Sequence, residues 1–250
     1  MIDLSGSCVA YWKMNDNADS NVVLDSSGNG HDGNFYDPGG NPYTSYHHRD
    51  GKINGSLYFD GVNDYIRIPG AVYNFSGQGN WSVALWAKRQ STGYNYFIGT
   101  DGQTGWYIRF SSSGDAFPNQ LVMKIDDGVN DEYGPAGLVT DELWHFIVMV
   151  VNDAEDKFLG YLDNVKTMSL ACGQVGDLAD SVYIGRVPNV SGYHKGELDN
   201  IMIFDKAINE DEIAFLWNNG VGTENLQSCA RPLVSGELAN NNLTGKGLLG

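Results

Sequence analysis

Three sets of residues have types and spacings suited to chemistry. Leu24 to Gly33 reads Leu-Asp-Ser-Ser-Gly-Asn-Gly-His-Asp-Gly, the densest run of turn residues in the chain. Gly28, Gly30 and Gly33 supply positive φ at little steric cost, and Asp25, Ser26, Ser27 and Asn29 can bond their own backbone. Such a loop either simply turns the chain or wraps an ion in carboxylate and carbonyl oxygens. Calcium suits oxygen-rich loops, whereas a transition metal asks for His and Cys. From these residues alone both readings stand. The second set is Tyr94-Asn95-Tyr96-Phe97, followed by Trp106, Tyr107 and Arg109. Aromatic faces stack on a flat ligand such as a sugar ring, while polar groups bond its hydroxyls. Tyr94, Tyr96, Trp106 and Arg109 are the ligand-binding candidates, although Trp106 alternates with Ile108 and Phe110 and equally suits a core. Histidines form the third set. His47 and His48 are adjacent, so their side chains diverge in extended backbone and read as solvated rather than metal-bound. His145, with no partner motif beside it, reads as a hydrogen-bonded strand residue rather than a catalyst.

These residues sit on a chain of 250 residues with 31 acidic against 15 basic side chains, a formal net charge of −16. Such a field repels phosphate backbones and anionic lipids, so it argues against nucleic-acid and membrane-surface binding. No apolar run reaches the roughly 18 residues that a membrane span needs. Met1 to Gly6 lacks the basic and apolar regions of a signal peptide, and the Asn-X-Ser/Thr sequons therefore read as chance in an Asn-rich chain. Cys8, Cys172 and Cys229 are too few and too scattered for a disulfide scaffold or a zinc site. Cys8 and Cys229 can meet only if the chain ends pair, and thiols are the expected state.

The elements that would position the candidates are strands. Cys8 to Met14 opens the series, and a polar stretch rich in glycine and proline runs to Asp50. Ser56 to Gly61 is expected to meet Asp64 to Pro69 across Val62-Asn63, with Ile66 and Ile68 on one face and Tyr65 and Arg67 on the other. Trp81, Val83, Leu85 and Ala87 share a face, and Trp144 to Val151 is apolar on both faces apart from His145, as a central strand would be. Phe158 to Asp163 and Val165 to Ser169 form a hairpin across Asp163-Asn164. One helix is expected after Asn209, with Glu212 completing a capping box, Ile213, Leu216 and Trp217 giving an apolar stripe, and Gly220 ending it. Beyond Gly222 the chain is polar and without periodicity.

Several motifs occur in a set order over residues 8–220. They are Ala10-Tyr11-Trp12-Lys13, Asp25-Ser26-Ser27-Gly28-Asn29-Gly30, and Leu57-Tyr58-Phe59-Asp60-Gly61 running on to Ile66. Trp81 to Trp86, Asp141 to His145, Tyr161 to Asn164 and Gly196 to Phe204 follow. This order resembles the laminin-G-like jelly roll of the concanavalin A-like lectin/glucanase superfamily. The resemblance implies an all-β, antiparallel β-sandwich jelly roll over residues 1–222 with one short C-terminal helix, and leaves residues 223–250 as an extended tail or attachment arm. It also implies adjacent terminal strands and a structural calcium ion between an early loop and a late strand. By position the ligands would be Asp25, Asn29 and Asp199, with backbone carbonyls supplying the rest. The family's usual Asp-Gly turn is Asp163-Asn164 here, and residues 34–50 and 221–250 lie outside the matching motifs.

Glycosidases of the superfamily hold two carboxylates about 5 to 9 Å apart. Their strand motif Glu-x-Asp-x-x-Glu is met here only by Glu197-Leu198-Asp199, with Met202 in the third place. Glu210-Asp211-Glu212 is an acidic first helical turn, favoured by the dipole. The expectation is therefore a non-catalytic binding or structural protein. A family that works on surfaces, joined to a chain without a visible export signal, points to a phage virion decoration or fibre component that binds other subunits through the tail and takes glycans. The alternatives are a secreted or cell-surface lectin-like module exported by another route and, further off, a glycoside hydrolase.

Overall fold

A period of two in side-chain direction decides the layers. A computed structural model describes residues 1–75, 79–100, 105–126, 131–172 and 181–228. In chain order the strands are β1 (Cys8–Trp12), β2 (Val22–Val23), β3 (Gly33–Tyr36), β4 (His48–Asp50), β5 (Gly55–Asp60), β6 (Tyr65–Pro69), β7 (Trp81–Arg89) and β8 (Asn95–Gly99). They continue as β9 (Trp106–Phe110), β10 (Gln120–Asp126), β11 (Asp131–Leu138), β12 (His145–Asn152), β13 (Lys157–Leu162), β14 (Val165–Leu170), β15 (Ser181–Ile184) and β16 (Lys195–Phe204). Helix α1 (Thr44–His47) is a single turn, and α2 (Glu210–Trp217) follows the last strand. The first sheet has the order β14-β13-β12-β7-β16-β5-β4, with β1 also on β16. The second runs β11-β10-β9-β8-β15-β6-β3-β2. No helix among the described residues is long and apolar enough to cross a membrane.

Between the sheets lies one apolar cluster containing Trp81, Val83, Leu85 and Ala87 of β7 and Ile147, Met149 and Val151 of β12. Trp106, Ile108 and Phe110 enter it from the second sheet. The alternate residues Ala84, Trp86, Phe146, Val148 and Val150 form a second cluster on the outer face of the first sheet, under Leu4, Ile208, Ile213 and Leu216. Strands β7 and β12 are therefore covered on both sides, as their sequence implies. Helix α2 starts as expected: the Glu212 amide donates to Asn209 Oδ1 at 3.0 Å and the Asn209 amide to Glu212 Oε2 at 2.9 Å. It closes the outer face by stacking Trp217 on Trp86, with centroids 5.2 Å apart. The β13–β14 turn has φ of 50° at Asp163 and 65° at Asn164, the twin left-handed residues that suit a tight hairpin. Asp163 also takes the His145 ring at 2.7 Å, with Asp141 on the other ring nitrogen at 2.8 Å, so His145 is a clamped strand residue.

Three expectations change. Strands β5 and β6 are not a hairpin, because β5 belongs to the first sheet and β6 to the second. The connection is a corner held by carboxylates: Asp64 Oδ2 accepts from the Asp60 amide at 2.8 Å, and Asp60 Oδ1 from Val62 at 2.7 Å. Its turn chemistry is the same as a hairpin's, so composition alone does not separate the two. His47 is not solvated: α1 folds it inward to 3% exposure and stacks it on Phe35 at 4.0 Å. The start of the expected arm is part of the domain. The Leu4 amide donates to Leu226 O and the Ser228 amide to Ile2 O, both at 2.8 Å, and Glu224 pairs with Lys13 at 3.0 Å. Residues 229–250, with Cys229, lie outside the described residues. Cys8 is a buried thiol that burial pushes up to about 12.

The terminal strands are adjacent, and Tyr11 joins them to the loop at Leu24 to Gly33. Its amide donates to Asp25 Oδ1 at 2.9 Å, and its hydroxyl donates to Asn200 Oδ1. Asn200 stands at a bulge in β16 with φ of 48°, and its amide group donates to Asp199 Oδ1 at 2.6 Å. Asp199 Oδ2 accepts from the Ile53 amide at 2.8 Å. A buried relay thus runs from the early loop to the late strand. Tyr11→Phe is expected to cost about 1–3 kcal/mol in urea unfolding, because it strands a buried acceptor. A loss below about 0.5 kcal/mol, the scatter of neutral surface changes, would show that the relay carries no stability.

Candidate binding face

The outer face of the first sheet is closed by α2 with Ile2, Leu4 and Leu226, whereas the outer face of the second carries tyrosine and arginine. The same alternation that sends Ile66, Ile68, Val182 and Ile184 into the core turns Tyr65, Arg67 and Tyr183 outward. Tyr36 of β3 lies opposite Tyr65 in register, and their rings stack 4.8 Å apart at 8°. Tyr183 follows, with its centroid 6.3 Å from that of Tyr65. The Arg186 guanidinium lies 4.9 Å from the Tyr65 centroid, 5.8 Å from Tyr183 and 5.5 Å from Tyr193. Such contacts hold a cation and its rings in one arrangement. Burial raises the Tyr65 hydroxyl pKa, with Arg186 opposing, so the ring stays a neutral donor and acceptor.

A second cluster of the same kind lies further along the sheet. Arg109 Cζ is 5.0 Å from the Tyr94 ring centroid, 5.8 Å from Tyr96 and 5.7 Å from Tyr107. Its Nη1 is 2.7 Å from Asp115 Oδ2. Burial alone would lower the guanidinium pKa, but Tyr107, Tyr96 and Asp115 hold it above its ordinary value. Gly192 joins the two clusters. Its φ is 131°, and a Cβ there would lie 2.8 Å from Tyr94 Cβ, so only glycine lets the 187–193 loop settle on Tyr94 and Tyr96.

Of the residues singled out from the sequence, Tyr94, Tyr96 and Arg109 come together and Trp106 does not join them. Trp106 is 0% exposed, with its ring 5.3 Å from Trp81 and 5.0 Å from Phe75 in the core, so it cannot offer a face to a ligand. Tyr96 and Arg109 are buried too, leaving Tyr94, 37% exposed, as the surface of that cluster. Tyr36, Tyr65, Tyr183, Arg186 and Tyr193 were not among the candidates. Their signal was the outward half of each alternating strand, which one strand at a time looks like ordinary surface.

The opening loop is held by hydrogen bonds. Asp25 Oδ1 accepts from Tyr11 and Ser27 amides, and Oδ2 accepts from the Ser27 hydroxyl and the His31 amide. Burial alone would raise the Asp25 pKa, but these donors hold it below the usual carboxylate range. Asn29 Nδ2 donates to Val9 O at 3.0 Å. Asp199, 0% exposed, is pushed up to about 7 by burial. A calcium ion on Asp25, Asn29 and Asp199 would have to take directions that donors now occupy on both Asp25 oxygens. Glu197 pairs with Lys88 at 3.0 Å, and with Asp199 buried the two carboxylates do not present a solvent-facing acid and base.

Known proteins share this fold. Non-toxic nonhemagglutinin type E of Clostridium botulinum is 23% identical over 203 residues, which are 78% of this chain and 16% of that protein. The chain thus spans a small part of that relative's length. Among solved structures, domain 4 of AbnA, a GH43 extracellular arabinanase from Geobacillus stearothermophilus solved with arabinotriose, aligns with a TM-score of 0.62 at 19% identity. That alignment covers 87% of this chain and 98% of the domain. A structure of botulinum neurotoxin type C, whose cell entry depends on two ganglioside molecules, aligns at TM-score 0.62 and 16% identity over 90% of this chain and 52% of that one. At these identities the likeness is one of fold. Residues 60–214, more than half of the chain, match the Laminin_G_3 family, and the chain belongs to this family of the concanavalin A-like lectin/glucanases superfamily.

Proposed function

We propose that the domain is a non-catalytic binding module that takes neutral oligosaccharides on the outer face of its second sheet. The observation that carries this reading is the rank Tyr36, Tyr65 and Tyr183 with Arg186, partly exposed on the second sheet while the opposite outer face is closed. Stacked rings offer flat apolar area at low entropic cost, and tyrosine and arginine dominate binding hot spots. The net charge of −16 favours uncharged ligands over anionic ones. The arabinotriose bound to the similar arabinanase domain, a neutral oligosaccharide, lends support by analogy of fold.

A glycan array followed by titration calorimetry tests this reading. Tyr65→Ala is expected to weaken the best ligand about tenfold or more, the scale of a lost hot-spot ring. Trp106→Ala should instead act through stability, lowering it by about 3–5 kcal/mol as a core truncation does. A blank array across neutral glycan classes, or full binding by Tyr65→Ala, would overturn the proposal.

Two narrower proposals accompany it. The first is a structural calcium ion that displaces donors from Asp25 and engages Asn29 and Asp199. A melting temperature lowered by EDTA and restored by calcium supports this, and an unchanged transition leaves the loop to its hydrogen bonds. The second is display on a larger assembly, such as a phage particle, through residues 229–250. Deleting those residues should abolish incorporation while the domain still melts cooperatively, and unchanged incorporation would refute the arm.

A further inference from the structure

The corner between β5 and β6 meets the turn after β3 and the end of α1 in a cleft of about 420 Å³. Asp37, His47 and Asp64 each bring one ligand atom there, and these atoms lie within 4.8 Å of one another. The imidazole stacks on Phe35, with ring centroids 4.0 Å apart and the planes inclined by 28°. Its Nδ1 is 3.1 Å from Tyr58 O and its Nε2 2.8 Å from Asn41 O. Asp64 Oδ2 and Asp37 Oδ2 stand 3.8 Å from those same two nitrogens. The four atoms set against the two ring nitrogens are thus all oxygens. A neutral imidazole has a single N–H, so one ring nitrogen turns a lone pair toward an oxygen.

Asp64 gives the second indication. It is 1% exposed and bonds the Asp60 amide through Oδ2, yet its Oδ1 has no hydrogen-bond partner among the described residues. The Oδ1 of neighbouring Asn63, in the same cleft, has none either. A buried carboxylate oxygen left without a donor is costly unless a cation satisfies it.

We propose that this cleft is a divalent-cation site in which Asp37, His47 and Asp64 ligate a metal of the Mn²⁺ or Zn²⁺ class, with Asn63 Oδ1 beside them. Two carboxylates and one imidazole suit such ions better than calcium, which prefers oxygen alone. To ligate, His47 exchanges one of its carbonyl contacts for the metal, and the other carbonyl then fixes the remaining N–H. Three protein ligands leave coordination positions for water or for the hydroxyls of a bound molecule. Asp37 directly follows Tyr36 in the chain and Asp64 directly precedes Tyr65, so the ion would adjoin the stacked pair. The site stands whether or not that face binds sugars.

The test uses the full chain stripped of metal and titrated separately with MnCl₂, ZnCl₂ and CaCl₂. One equivalent of Mn²⁺ or Zn²⁺ is expected to bind. Asp37→Asn should weaken it tenfold or more without changing the metal-free melting temperature, because Asp37 is the partly exposed member of the set. Asp25→Asn should bind as the wild type does. Pulsed electron paramagnetic resonance of the Mn²⁺ protein should show coupling to one histidine nitrogen, a readout that needs no variant. Absence of saturable binding, binding of calcium alone, loss in Asp25→Asn instead of Asp37→Asn, or manganese without nitrogen coupling would each overturn the proposal.

Discussion

The relay from Asp25 through Tyr11 and Asn200 to Asp199 ties elements that are distant in sequence and adjacent in space. Every polar atom in it is buried or partly buried, so each bond missing from it would leave a desolvated group without compensation. That asymmetry is what makes the relay specific. The bulge at Asn200 lets Asp199 and Asn200, consecutive residues, both be fully buried on β16. With β1 paired to β16 and the early loop bonded to Tyr11, the first sheet has one arrangement available to it at its centre.

That constraint sets the asymmetry of the sandwich. The first sheet is apolar on both faces, and its outer face must be covered; α2, Leu4 and Ile208 do so. The second sheet is apolar throughout its inner face, while its outer face carries tyrosines and arginines together with a small buried cluster of Tyr96, Tyr107, Val122 and Val187. The proposed binding face lies on the second sheet for that reason, where rings held by arginine would already be ordered before a ligand arrives.

Much of the architecture is legible in local pattern. Trp81 to Ala87 announces its buried face by alternation, and the Asn209–Glu212 pair announces its helix, because both signals lie within a few residues. What escapes is assembled from afar. Tyr36, Tyr65 and Tyr183 become neighbours only once β3, β6 and β15 are placed side by side, an order that no single segment encodes. His47 is drawn inward by Phe35, so the adjacency with His48 that suggested solvation gives the wrong answer for one of the two. The corner at Asp60 to Asp64 carries the residues of a tight hairpin, and the apolar alternation on either side fits one sheet or two equally well. Trp106 shows the converse: its alternation with Ile108 and Phe110 already held the correct placement, against the attraction of a nearby tyrosine run.

The pairing of Ile2 with Ser228 has a geometric consequence. Both ends of the folded unit leave from one spot, beside Leu4 and Leu226 on the side of the first sheet. Anything joined to either end would be anchored behind the domain, and the tyrosine face would look the other way. A unit with this outline works as a cassette: it can be hung from a scaffold, or spliced into a surface turn of a longer chain, with its outward-facing side unobstructed.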